Sequence, residues 1–462
     1  MIEPNPFEEL IDKVVKNGFC IGCGACAVVE DSPIVIKLNS NGEYQAVLEK
    51  EKFPDNSYVN KVCPFSNQSE NEDTIASEVF DSNLNYEFKI GYYDQLFAGY
   101  VLEDKFRENG SSGGFGSWIT SELLRRNLVD EVIHVKGGAD NMQFQYSISK
   151  TVKEIKEGSK SRYYPVEMSQ VLDYVNKTDK SFAIVGIPCF IKAIRLLSKQ
   201  NNRIKNNIKF TIGLVCGHLK SSLYSQMLAW EMGVSPDSEF EIDFRKKKLG
   251  KKASDYSTEI ISKTAENTEI KEEQTNELFG TTWGYGFFKY NACDYCDDVL
   301  AETADITVGD AWLPEYSKDY MGTNIVVSRN ETMSNIINEA IKTEKVKIDN
   351  LTTEKIIASQ AGGFRHRHNG LAYRLTTKDN NNKWRPVKRI KPSSKLPLRR
   401  KLLYRLRVLI RKKSISNFKL AKKYNSLILF KLLMSVYVFG HELLSKLTVQ
   451  KIKNKLIGYI RK

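Results

Sequence analysis

Acidic residues almost vanish from the end of this 462-residue chain: residues 395–462 hold 19 lysines and arginines against one acid, Glu442. The preceding 394 residues carry 50 basic and 55 acidic side chains, so the formal net charge of +13 belongs entirely to the tail. The amino end, Met1-Ile-Glu-Pro-Asn-Pro6, lacks a basic region followed by an apolar core. A secretory signal is therefore not expected, and a cytoplasmic, reducing location is. No internal repeat is present, which sets aside solenoids and propellers. Leu427–Leu444 is the longest apolar stretch of the tail, but Lys431 and His441 interrupt it, and it is short for a bilayer span.

No cysteine is left over either. The eight fall into two sets of four. Cys20-Ile-Gly-Cys23-Gly-Ala-Cys26 spaces three thiols two residues apart, and Cys63-Pro64 supplies a fourth from far downstream. A close trio completed by a remote Cys-Pro step is the ligand pattern of a 4Fe-4S cluster. Gly22, Gly24 and Ala25 let the backbone approach the inorganic sulfides. A zinc knuckle or buried thiols are the competing readings, although zinc favours paired CxxC ligands or a mixture with histidine. Disulfides fit poorly with adjacent CxxC pairs in a reducing compartment.

The second set is Cys189, Cys216 and the pair Cys293-Asp-Tyr-Cys296. Phe182–Pro188 reads as a buried strand running into a tight turn, with Cys189 at the mouth of a helix; Phe210–Val215 reads as another strand ending at Cys216. Strand ends beside helix N-termini are where open α/β sheets gather ligands, and the helix dipole there favours thiolates. A second cluster and four buried, inert thiols are both compatible with these positions.

The chain is long enough for several domains, and its 41% hydrophobic content is ordinary for a soluble protein. Residues 1–66 read as a small ferredoxin-like unit, with a helix over Phe7–Lys16 and a hairpin turning at Asn41-Gly42. Residues 67–90 read as a surface linker. Residues 91–375 alternate strands and helices and form the mixed α/β body. Residues 376–394 are a second linker, and 395–462 are basic amphipathic helices. The fold class is thus α+β or mixed α/β. Arg245–Lys252 and the acidic stretch to Glu277 read as an exposed hairpin or loop, and no nucleic-acid partner is expected from that basic run.

Two segments of the body suit a cofactor. Ser111-Ser112-Gly113-Gly114 opens a helix at about Ser117, and hydroxyls and glycine amides at a helix start suit a dinucleotide pyrophosphate. They are also ordinary cap and turn residues. Lys160, Arg162, Tyr163 and Tyr164 set cations beside aromatic rings, which suits phosphates and a flat ring, or else a plain surface turn.

Taken in order, Ser111–Gly114, Gly158-Ser-Lys160, Gly186-Ile-Pro-Cys189, Gly213-Leu-Val-Cys216-Gly-His218, Cys293-x-x-Cys296 and Ala304-Asp-Ile-Thr-Val-Gly-Asp310-Ala-Trp312 resemble the beta-subunit family of coenzyme F-420 hydrogenases and dehydrogenases. The resemblance covers roughly residues 15–375. It implies an N-terminal ferredoxin-type unit, FAD, and a further 4Fe-4S cluster held by Cys189, Cys216, Cys293 and Cys296. Ser111, Ser112, Gly113, Gly114 and Lys160 would lie along the FAD. The family includes deazaflavin-linked enzymes, 7-hydroxymethyl chlorophyll reductases and bacterial members found beside polysaccharide-assembly genes. Members run Gly-Ser-Lys straight into Tyr, whereas Ser161 and Arg162 intervene here before Tyr163.

The expected function is therefore an iron–sulfur flavoprotein oxidoreductase. Electrons would pass from a ferredoxin-type donor through two 4Fe-4S clusters to FAD and an organic substrate, with coenzyme F-420 a candidate in hosts that make it. The alternative is a nonenzymatic electron-transfer or scaffold subunit serving a separate catalytic partner. His218 is a candidate proton donor near the flavin or else a core histidine, and Asp310 orients flavin or solvent or else closes a strand-end turn. Arg365-His-Arg-His368 reads as an anion or flavin contact, or as a solvated loop. The tail interleaves basic and apolar residues at near-helical spacing, suited to an anionic membrane surface on the inner face of the cell membrane, a partner protein or RNA.

Overall fold

The alternation read from about Tyr92 onward forms an eight-stranded mixed sheet in a computed structural model, which describes residues 5–49, 54, 57–138, 143–263, 268–445 and 458. In spatial order the strands are Val346–Asn350, Gln95–Val101, Asn324–Ser328, Ile306–Asp310, Ile208–Leu214, Phe182–Gly186, Glu131–Gly137 and Phe144–Ser149. The four strands from Ile306–Asp310 to Glu131–Gly137 run parallel, and both flanks are antiparallel. Side chains alternate across the sheet, as the two-residue period of a strand requires. Val132 and Ala183 face a layer containing Trp118 and Ile337, whereas Ile133 and Ile184 face Leu172, Ile191 and Ile194.

Phe182–Gly186 and Ile208–Leu214 are hydrogen-bonded neighbours and end side by side. Pro188 occupies the first turn of the helix Pro188–Gln200, where its missing N–H costs nothing. Cys189 therefore sits at the helix mouth read from the sequence. The expected helix after Cys216 is delayed, because Val215–Ser222 form a loop before Leu223–Glu231.

The N-terminal unit packs into the same apolar core as the helices Ser169–Lys177 and Pro188–Gln200. Its helix, Pro6–Leu10, continues as a widened turn through Val15. Its hairpin pairs Ile34–Leu38 with Tyr44–Leu48, and Asn39 Oδ1 accepts from Asn41 and Glu43 N–H groups across the turn. Gly42 there has φ +68°, the conformation glycine supplies without strain.

Three sequence expectations change. Residues 67–90 contain a helix, Glu72–Val79, and Glu72 is buried between Lys192 at 3.2 Å and Arg389 at 3.5 Å. Arg389, from the second expected linker, also forks onto Glu302 at 2.6 and 2.9 Å. The basic run is not wholly solvated: the hairpin Phe240–Lys246 and Ser257–Lys263 turns Arg245 and Lys247 inward. The Arg365–His368 segment is a helical turn, and Arg367 is 1% exposed rather than part of a solvated loop.

The tail forms two helices, Leu398–Lys423 and Leu427–Leu444, packed as a hairpin against the body. The second is long and apolar enough to cross a membrane by length and composition, yet a third of it is buried on the protein. Phe430 is fully buried among Phe279, Phe287, Phe288 and Phe418. The tail beyond Ser445 lies outside the described residues, apart from Gly458. Truncation of Phe430 to alanine is expected to cost about 3–5 kcal/mol. Urea denaturation followed by tryptophan fluorescence, with Trp230 edge-on to Phe418, reads that loss.

Candidate functional site

Each cysteine set lines its own cavity. Cys20, Cys23, Cys26 and Cys63 line a cavity walled by apolar residues including Leu10, Val14, Ile36 and Val62. Gly22 and Gly24 shape the loop at φ +66° and +90°. A Cβ on Gly22 would lie 2.5 Å from the Tyr44 carbonyl oxygen, and one on Gly24 would lie 2.6 Å from the Ser169 nitrogen. The trio therefore wraps tightly against the hairpin and the Met168 turn. Cys20 Sγ accepts from the Gly22 and Ala46 N–H groups, each at 3.4 Å.

Cys189, Cys216, Cys293 and Cys296 line the second cavity with Pro188, Leu219 and Arg367. Leu219 N–H donates to Cys293 Sγ at 3.2 Å. Arg367 donates to the carbonyls of Gly217, at 3.0 Å, and Asp298, which brings its charge beside Cys216. Ile21 and Phe65 line both cavities, so the two quartets share a wall. Phe19, next to Cys20, packs edge-on against Tyr295, between Cys293 and Cys296, at 4.9 Å.

Burial dominates the electrostatics here. It pushes the Cys63 and Cys293 thiols up to about 12 and the Cys296 thiol to about 11. Cys23, Cys26 and Cys189 are raised by the same desolvation. Burial also raises Cys216, with Arg367 opposing it. Burial disfavours the Arg367 charge as well, but the surrounding Cys296, Cys216 and Cys293 sulfurs outweigh that and raise its pKa. Thiolates can exist here only against a compensating positive charge. Among the described residues no three His, Cys, Asp or Glu side chains converge tightly enough to hold a single metal ion.

The Ser111–Gly114 loop opens the helix Phe115–Arg125 and is held from several sides. Ser111 Oγ accepts from Ser161 N–H at 2.7 Å, Ser112 Oγ donates to the Thr323 carbonyl at 3.0 Å, and Asn324 Oδ1 accepts from Phe115 N–H at 3.2 Å. A Cβ on Gly113 would meet the Gly99 carbonyl oxygen at 2.7 Å, so the loop lies flat on the sheet edge. Around it stand four cations. Arg107 pairs with Asp319 at 2.7 Å, Lys160 with Asp243 at 2.9 Å and Arg245 with Asp310 at 2.7 Å. Among the described residues Lys247 reaches only carbonyls, those of Arg107 and of Ser112, the latter at 2.9 Å. Burial, with Arg107, Lys160 and Arg245 nearby, lowers Lys247 to about 7.

Between this cradle and Cys216 lies an aromatic group. Trp283 meets His218 at 4.4 Å and Tyr163 at 4.8 Å, and Tyr163 also meets Phe244 at 5.4 Å. Arg162 lies over the Phe144 ring at 4.8 Å and donates to the Ser159 carbonyl at 3.3 Å. Burial, then Lys220 and Lys289, hold His218 well below its usual pKa, so its imidazole is neutral near pH 7. Asp310 is committed to a two-pronged ion pair with Arg245, at 2.7 and 3.2 Å, which leaves it less free than a lone strand-end acid. Sequence reasoning did not find Lys247 or Trp283 as site residues, nor the Ile21–Phe65 wall. Arg367 stood in the flagged Arg365–His368 run without a role at the thiols.

A pyrophosphate group bound in the cradle would favour the charged form of Lys247. A dinucleotide, whose bridging diphosphate does not titrate between pH 6 and 8, is therefore expected to bind severalfold more tightly at pH 6 than at pH 8, because Lys247 gains its proton as pH falls through about 7. Lys247→Met should flatten that dependence in calorimetric titrations.

Comparison with known proteins adds two matches to family models. Residues 96–173 match the N-terminal part, and residues 179–354 the C-terminal part, of the coenzyme F-420 hydrogenase/dehydrogenase beta subunit. No curated protein matches. Among solved structures, a chain of the xenon-derivatised F-420-reducing NiFe hydrogenase complex from Methanosarcina barkeri is similar, at 15% identity with a TM-score of 0.49. The match covers 65% of this chain and 98% of that one.

Proposed function

This chain belongs to the coenzyme F-420 hydrogenase/dehydrogenase beta-subunit family, and on that premise we propose that it is an iron–sulfur flavoprotein carrying electrons from a ferredoxin-type donor to FAD and an organic substrate. The observation that supports this most is the sorting of all eight cysteines, buried or half-buried, into two quartets that share the Ile21–Phe65 wall. Apolar, all-thiol cavities with N–H donors to sulfur and an adjacent arginine suit cationic iron–sulfur cores.

Residues 1–66 would form the ferredoxin-type unit. Cys20, Cys23, Cys26 and Cys63 would hold one 4Fe-4S cluster, and Cys189, Cys216, Cys293 and Cys296 the other. When bound, these groups and the flavin supply the one- and two-electron chemistry. The chain's own residues hold and insulate them. Arg367 offsets thiolate charge on the inner side, while apolar walls exclude water from both cavities. Ser111, the Gly113-Gly114 backbone and Lys247 would bind the FAD pyrophosphate, with Ser112 and Lys160 fixing the loop around it. Tyr163, Arg162 and Trp283 would border the flat ring, and neutral His218 would hold a proton beside it at an imidazole nitrogen.

For the substrate we propose a precursor of cell-surface polysaccharide presented at a membrane, or coenzyme F-420 where the host makes it. The tail supports a cytoplasmic, membrane-peripheral location. Ile428, Leu432 and Val436, one turn apart, are 59%, 52% and 72% exposed on the outer face of Leu427–Leu444, beside the basic helix Leu398–Lys423. An apolar stripe flanked by cations suits an anionic leaflet.

Anaerobically purified protein should contain about eight iron, eight sulfide and one FAD per chain, as two cubanes and one flavin require. Cys20→Ala and Cys216→Ala should each remove about half the iron. Zinc without sulfide would sink the proposal. In vesicle sedimentation, the chain should bind phosphatidylglycerol liposomes and lose most of that binding with Leu432→Glu/Val436→Glu, at unchanged iron content. Indifference to anionic vesicles at physiological salt would remove the membrane element alone.

A further inference from the structure

Beside the first cysteine cavity an aromatic seam links the two cysteine sets under a cluster of cations. Phe19, the residue before Cys20, is fully buried, and Tyr295, between Cys293 and Cys296, meets it edge-on. Over this aromatic seam lies the ammonium group of Lys378, 5.1 Å from the Phe19 ring and 5.8 Å from the Tyr295 ring. Trp384, half-buried, closes the other side of Phe19 at 5.4 Å. Lys383 and Lys412 stand nearby and are exposed.

The patch gathers cations with no acid among the described residues left free to offset them. Lys378, Lys383 and Lys412 make no ion pair among the described residues, as the salt bridges elsewhere in the chain do not reach them. The nearby acid Asp379 is occupied by Arg385, which grips it at 2.8 and 3.0 Å. The three lysines come from two places, Lys378 in the last turn of the helix Leu371–Asp379 with Lys383 just after it, and Lys412 in the long tail helix. Burial and then the charges of Lys383, Lys412 and Arg411 lower the Lys378 pKa, a sign that these cations repel one another without local compensation. A half-buried tryptophan beside several uncompensated cations has the composition of a docking centre for an acidic protein.

We propose that the surface formed by Lys378, Trp384, Lys383 and Lys412 is the docking site of a small acidic one-electron carrier protein. The site would deliver electrons over Phe19, beside Cys20 and in ring contact with Tyr295 of the inner set. This rests on the redox reading of those quartets and adds to it the place of entry and the chemistry of the partner. The electron balance is simple: the carrier is oxidised by one electron, the centre held by the quartets is reduced by one, and no proton or covalent bond is exchanged at the contact. The tail helix thereby has a role on its body-facing flank distinct from that of the outward stripe.

The test uses the full chain with its iron–sulfur content verified, and a reduced small acidic ferredoxin as the probe, in anaerobic stopped flow. Lys378→Glu/Lys383→Glu/Lys412→Glu is compared with wild type and with a charge reversal at the exposed, distant Lys342. Expected results are a wild-type rate that falls at least tenfold between low and high salt, and a triple variant at least tenfold slower at low salt with little salt dependence. Dithionite, which needs no docking surface, should reduce both proteins equally. Should the half-buried Lys378 prove structurally necessary, Lys383→Glu/Lys412→Glu leaves the seam intact and should still slow the carrier severalfold. Equal carrier rates in variant and wild type would overturn the docking site while leaving the redox reading standing. Loss of vesicle binding without loss of carrier rate would do the same, assigning the lysines to the membrane. A wild-type chain that holds no sulfide and that dithionite does not bleach would overturn both.

Discussion

Desolvation of eight thiols is the constraint on which the rest of the structure turns. Each quartet lies in an apolar cavity where burial drives the sulfurs toward their neutral form. The fold answers with backbone N–H groups aimed at Cys20 and Cys293, and with one buried guanidinium, Arg367, beside the inner set. Those contacts fix where the loops run. Gly22 and Gly24 take positive φ because the cysteine trio must press against Tyr44 and Ser169 with no room for a Cβ. Pro188 starts its helix where it does because Cys189 must leave the strand end facing Cys216.

The same logic extends outward through buried charge. Asp294 lies between two inner cysteines, and burial alone would raise its pKa. Lys289 at 2.5 Å, His366 at 3.4 Å, Arg374 at 3.9 Å and Arg411 at 3.1 Å instead hold it well below the usual carboxylate range. Four elements thus converge on one carboxylate, including the tail helix through Arg411. Lys419, two turns further along that helix, reaches Ser40 and Asn41 at the tip of the N-terminal hairpin. The tail is consequently a brace across both cysteine units as well as a basic surface. Removing one partner from such a buried network leaves charge uncompensated, which is why its members behave as a unit.

Much of this was legible along the chain. The cysteine spacing, the Asn41-Gly42 hairpin, the strand ending at Gly186 and the helix mouth at Cys189 are local patterns, set by ligand spacing, turn chemistry and hydrophobic periodicity. The Ser111–Gly114 loop was likewise visible as glycine and serine before a helix. The misreadings share one cause. Glu72, Arg245, Lys247 and Arg367 are charged, and charge in a sequence reads as solvent exposure. Each is instead buried or half-buried because a partner, or a cluster of carbonyls, arrives from a segment tens to hundreds of residues away.

The sequence alone determined that this chain carries two four-cysteine sets, a mixed α/β body and a tail whose basic character is separate from the rest. Those properties reside in residue identity and short-range spacing, which need no folded context to be read. Only the tertiary structure decided that the two sets share a wall at Ile21 and Phe65, that Arg367 serves the inner thiols, and that the tail helix reaches Asp294. Proximity across the chain is created when long-range burial brings distant segments together, and no local pattern records which buried charge will find which partner.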